Sequence, residues 1–166
     1  MTNQLHKESF LTIYHKGIWK AEPGIDEFYS PGEIFIKVNN KKSSKVQVSL
    51  GKDDIPDKNN LIEIIDEVSQ AMIKSLGCER VYCVSLCESE SDLHFRLFPR
   101  YREDEGFLDE YDKEIEDTND GFALMAKWRR QFILKNLCTD KEFINKLRKK
   151  HYEAINKVWR ELRNKS

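Results

Sequence analysis

The sequence predicts an α+β domain: an antiparallel sheet, a packed helix and a helical C-terminal extension. Three observations carry this. Apolar and polar residues alternate with period two over 45–50 and 92–98, as half-buried strands require. One apolar stripe of helical period (Leu61, Ile64, Ile65, Val68, Met72 and Leu76) runs through 60–76. Helical spacing then dominates from residue 121 onward.

Taken in order, residues 1–32 form an N-terminal segment. Phe10, Leu11, Ile13, Tyr14, Ile18 and Trp19 are spaced for a short helix, ended by Gly17 or by Pro23-Gly24. Pro31-Gly32 is a turn. Residues 33–38, Glu-Ile-Phe-Ile-Lys-Val, are rich in β-formers and read as a strand. The polar loop 39–44 leads to a second strand, where Val46, Val48 and Leu50 alternate with Lys45, Gln47 and Ser49. The two strands are expected to pair antiparallel. Gly51 to Pro56 breaks the second one.

The helix at 60–76 is the clearest element. Asn60 and Glu63 have capping-box spacing, and Gly77 suits a left-handed cap at the other end. Asp57, Glu63, Asp66 and Glu67 place negative charge in its first half, which favours the helix dipole. Residues 81–87 are apolar on both faces and read as a central strand. Residues 88–91 turn into the strand at 92–98, whose ladder Pro99 is expected to end for want of a donor.

Residues 103–120 hold ten acids and one lysine, Lys113. Such a run reads as a solvated loop; in a functional role it would be a lid over a basic surface. A helix is expected over 121–137, capped by Asn119 or Asp120. Thr139 and Glu142 form a second capping box before a final helix striped by Phe143, Leu147, Ile155, Val158, Trp159 and Leu162. The organisation expected is a segment 1–32, a core 33–103, an acidic loop 104–120 and a helical extension 121–166, all within one domain.

At 166 residues the chain fits a single core. A formal net charge of −1 removes any global signal for a polyanion partner. From Lys127 onward, however, thirteen Lys or Arg face four acids. That imbalance reads either as solubility and pairing with the acidic loop, or as a surface for a nucleic acid such as RNA. No apolar run approaches the ~18 residues of a membrane span, and the first residues lack a signal-peptide pattern. A cytoplasmic location without membrane partners is expected. Cys83 and Cys87 share a strand face about 13 Å apart, too far for a disulfide. No Cys-x-x-Cys pair exists, and His6, His15, His94 and His151 do not cluster in sequence. No metal or cofactor is expected. No Walker loop or Gly-x-Gly-x-x-Gly is present.

The chemistry-bearing run is Asp92-Leu93-His94-Phe95-Arg96-Leu97-Phe98-Pro99-Arg100-Tyr101. Side chains two apart share a strand face at about 6.6 Å, so Asp92, His94 and Arg96 form one polar row. An acid, an imidazole and a guanidinium in line suit phosphoryl binding, proton transfer or attack. The plainer reading is a solvated sheet face. The run resembles the signature of the histidine-triad (HIT) family, in which His alternates with apolar residues three times, often before Leu-Ile-Pro-Arg-Tyr. On that pattern His94 takes the central position, while Asp92 and Arg96 replace the flanking histidines. Gly51 and Lys52 resemble half of a second family element, with Asp54 where a His would stand. The resemblance covers roughly 33–103.

It implies that His94 attacks the α-phosphorus of a nucleotide or dinucleotide, forming a nucleotidyl-imidazole that water hydrolyses. On the shared face Asp92 would either orient the ring or raise its pKa by favouring the cation. Arg96 would bind a phosphate oxygen but has no proton to give up. Ser89, Ser91, Lys52 and Arg100 are candidate phosphate contacts, with Arg102 beyond them. The substrates implied are diadenosine polyphosphates or nucleoside phosphoramidates, and the assembly implied is a homodimer. The alternative is a module that binds a nucleotide or a protein without turnover.

Overall fold

The computed structural model describes residues 12–24, 31–39, 54–85, 93–100 and 141–164. Its strands are β1 (Tyr14–Lys16), β2 (Trp19–Pro23), β3 (Ile34–Val38), β4 (Arg80–Val84) and β5 (His94–Arg100); its helices are α1 (Lys58–Leu76) and α2 (Lys141–Arg163). The five strands form one antiparallel sheet in the order β1-β2-β3-β5-β4. The strand and loop expected at 39–50, the acidic segment and the helix expected at 121–137 lie outside the described residues.

The sheet begins earlier than the sequence predicts. In place of a short helix, residues 14–23 form the β1–β2 hairpin. Trp19 and Ala21 are fully buried and Ile13 nearly so, a period of two within each arm. Gly17, with φ +56, occupies the first loop position and turns the chain where the sequence suggests a helix end. A Cβ there would run into the Asp57 carboxylate.

Asp57 joins that turn to α1. Its Oδ2 accepts from Ile18 N at 3.2 Å, and its carbonyl accepts from Trp19 Nε1 at 3.2 Å. It is the N-cap residue of α1 in left-handed conformation, φ 54, and makes no side-chain cap. The capping box expected from Asn60 and Glu63 therefore does not form at the helix start. Asn60 lies inside the helix, and its amide donates to Asp57 Oδ1 at 2.7 Å. The other end is as predicted: Gly77, φ 67, donates its N–H to the Ile73 carbonyl at 3.1 Å.

The apolar stripe of α1 buries Leu61, Ile64, Val68 and Met72 against Trp19, Ala21, Ile34, Ile36 and Leu97 of the sheet. Tyr14 Oη donates to Glu67 at 2.7 Å, and Lys16 reaches Glu63 and Glu67 at 2.7 and 2.6 Å, clamping β1 to the same helix. α2 packs on α1 through Ala154, Ile155, Val158 and Leu162. Its buried His151 accepts at Nδ1 from Gly32 N at 3.1 Å.

Two expectations about the last strands need correction. The segment predicted as a central strand is β4, which stands at the edge of the described sheet with Cys83 exposed. Apolar content on both faces marks β-propensity and does not specify neighbours. Pro99 does not end β5 either, since pairing with β4 continues through Val81↔Pro99 and Arg80↔Arg100. The Arg100 carbonyl accepts from Glu79 N on the β4 side. By alternation the nitrogen of Pro99 points the other way, where β3 pairing stops at Leu97. A missing donor there breaks no ladder bond among the described residues. Among the described residues no helix is long and apolar enough to cross a membrane.

Candidate functional site

The strand register builds the site on the sheet face away from α1. Lys20 pairs with Lys37, and Lys37 with His94. One step along, Glu22 pairs with Phe35, Phe35 with Arg96, and Arg96 with Val84. Residues directly opposite one another share a face. Two rows therefore cross the sheet side by side: Lys20–Lys37–His94, and Glu22–Phe35–Arg96–Val84. His15 extends the first row on β1, opposite Lys20.

Phe35 is the centre of this face. The His94 ring lies 5.9 Å from it, tilted by 39°. The Arg96 guanidinium stacks over it at 4.4 Å and the Lys37 ammonium reaches it at 5.9 Å, both within cation–π range. Arg96 Nε also faces Glu33 Oε1 at 3.4 Å, and Glu33 is fully buried. Glu22 accepts from Lys20 at 2.5 Å and from Lys37 at 3.1 Å. Burial pushes the Glu22 carboxyl up, but its bonds to the two lysines outweigh that and hold it below the usual carboxylate range. Glu22 therefore stays charged and ties down the two cations that share a row with the imidazole.

The sequence-predicted residues divide accordingly. His94 and Arg96 do share a face, as period two requires, and Leu93 and Leu97 are buried on the other side. The row is not a solvated surface: His94 is only 7% exposed and the Arg96 side chain 13%. Arg100 is not brought to His94. It stands six residues further along β5, roughly 20 Å away at strand rise, where it donates to Tyr82 Oη at 3.1 Å. Asp92, Ser89, Ser91 and Lys52 lie outside the described residues.

Sequence reasoning missed Lys20, Glu22, Glu33, Phe35 and Lys37. A local signal existed for three of them, because Glu33, Phe35 and Lys37 alternate with Ile34, Ile36 and Val38. Lys20 and Glu22 sit in the hairpin that reads as helix, so their face was not legible. Chemically, the two rows offer an imidazole, cations that attract phosphate oxygens, and a phenyl ring. Glu22 in the second row, and Glu33 beside Arg96, neutralise part of that positive charge.

No protein-family model matches the chain, and no curated protein matches it. Among solved structures the chain is similar to a Hit-like protein involved in cell-cycle regulation from Bartonella henselae, determined with an unknown ligand. The two share 16% identity and a TM-score of 0.52, over 92% of this chain and 87% of that one. Together with the five-stranded antiparallel sheet and its packed helices, this gives the chain an α+β fold of HIT-like type.

Proposed function

We propose that the chain binds a nucleotide on the sheet face built by β2, β3 and β5, with His94 at the reacting phosphorus. The observation that carries this is the cross-strand row in which Lys37 stands directly opposite His94, beside Arg96 on Phe35. In this reading His94 opens a nucleoside phosphoanhydride or phosphoramidate. The imidazole forms a bond to the α-phosphorus as the leaving group departs with its electron pair, and water then releases the nucleotide. Lys37 and Arg96 balance the phosphate charge. On the same reading the chain pairs as a homodimer. β4 supports that, being the end strand of the described sheet.

A second reading, binding without turnover, is favoured by Arg96. Its guanidinium is engaged by Glu33 and Phe35 and has no proton to lend a leaving group. One experiment separates the two. The protein and its His94→Ala variant are incubated with adenosine 5′-phosphoramidate and diadenosine tetraphosphate, and nucleotide release and binding are both followed. Turnover that vanishes in the variant establishes catalysis at His94. Binding by both proteins with no product establishes the non-catalytic module. Absence of both binding and turnover sinks the nucleotide proposal altogether.

A further inference from the structure

The basic C-terminal region is not absorbed by the sheet-face site. In α2 the apolar residues Ala154, Ile155, Val158 and Leu162 are buried, whereas Arg148, Lys149, Lys157, Arg160 and Arg163 are exposed. Among the described residues of this helix the exposed acids are Glu142 and Glu153; Glu161 is turned to Lys74 at 2.6 Å. The outer face thus carries a positive excess although the whole chain is at −1.

One exposed aromatic ring, Tyr152, stands among these charges. Spacings of four, eleven and fifteen residues keep Arg148, Tyr152, Trp159 and Arg163 along one flank of the helix, over about 22 Å. Tyr152 is 47% exposed, whereas the Trp159 ring is half-buried against the core and carries the Arg163 guanidinium 4.9 Å over it. Cations that track a phosphate backbone, beside an exposed ring on which a base can stack, are what a single strand of nucleic acid needs. A membrane surface fits less well, because lipid insertion needs the apolar face of the helix, and here that face is buried in the core.

We propose that the outer face of α2 is a binding surface for single-stranded nucleic acid, independent of the site around His94. The test is fluorescence anisotropy of a short fluorescein-labelled oligouridylate with the full chain, between about 50 and 200 mM salt. Binding is expected, weakening steeply with salt. Changing Arg148, Lys149 and Arg160 together to Ser is expected to weaken it and to lower the salt slope by about 2, at roughly 0.7 per phosphate contact. Tyr152→Ser is expected to cost at least about fivefold in affinity through lost stacking, with an unchanged thermal midpoint. No binding by the parent protein at low salt overturns the proposal, as does an unaltered affinity in the triple variant. Loss with the triple variant but not with Tyr152→Ser assigns the face to charge alone and rejects nucleic acid stacking. Binding that appears only when Glu103, Asp104 and Glu105 are changed to Gln assigns the face to the chain's own acidic segment, and likewise overturns it.

Discussion

The two faces of the sheet are made from alternate residues of the same strands and differ in almost everything else. In β3, Ile34 and Ile36 are fully buried towards α1, while the alternating Phe35 and Lys37 face the other way and are half-buried. The α1 side is a closed apolar layer. The opposite side carries buried polar and charged side chains: Glu33 at 0% exposure, Glu22 at 9% and His94 at 7%. Apolar packing needs no particular partner, only volume. Buried charge needs named partners at bonding distance, or it costs more than it contributes. The first face therefore supplies stability, and the second supplies a geometry in which each ion constrains the next.

The largest expected effect comes from the apolar side. Ile36→Ala should lower unfolding free energy by about 2–5 kcal/mol, the usual loss for a well-packed core site. Urea denaturation reads it, and a loss under 1 kcal/mol would mean that the layer is loose. Next is Glu33→Gln, which leaves the Arg96 guanidinium beside a neutral amide. A fully buried pair that loses one partner costs about 3–5 kcal/mol. Because the Arg96 side chain keeps 13% exposure, about 2–3 kcal/mol is expected here. Adding Arg96→Met to Glu33→Gln should restore part of that loss; no recovery would show that the two residues are not coupled.

The smallest effect is the pH dependence of Glu22. Its folded carboxyl lies below its ordinary range, because the bonds from Lys20 and Lys37 outweigh burial. A depressed carboxyl contributes stability that is fully present above its unfolded value of about 4.3. The contribution is lost as pH falls through the lower folded value. Glu22→Gln should thus cost about 1 kcal/mol or less near neutrality, and the difference between the two proteins should shrink below about pH 4. A difference that grows on acidification would contradict the assigned pairing.

How much was legible in the sequence depends on the range of the signal. The α1 stripe and its Gly77 cap were readable, because both depend on residues within a few positions of one another. The shared face of His94 and Arg96 was readable for the same reason. The β1–β2 hairpin was not, since Ile13, Tyr14, Ile18 and Trp19 fit a helical spacing over so short a span. What separates the two readings is the docking of Trp19 and Gly17 on Asp57, nearly forty residues along the chain. The place of β4 at the end of the described sheet and the continuation of β5 through Pro99 were equally hidden, because strand neighbours are chosen by long-range burial.

By itself the sequence determined which residues share a face, because side-chain period is a property of covalent geometry within one strand or helix. Only the tertiary structure decided that Lys37 stands opposite His94, that Glu22 ties Lys37 to Lys20, and that Arg96 meets Glu33. Those meetings follow from strand order and register. These are set when separate apolar faces are buried together against α1, and no local pattern encodes that outcome.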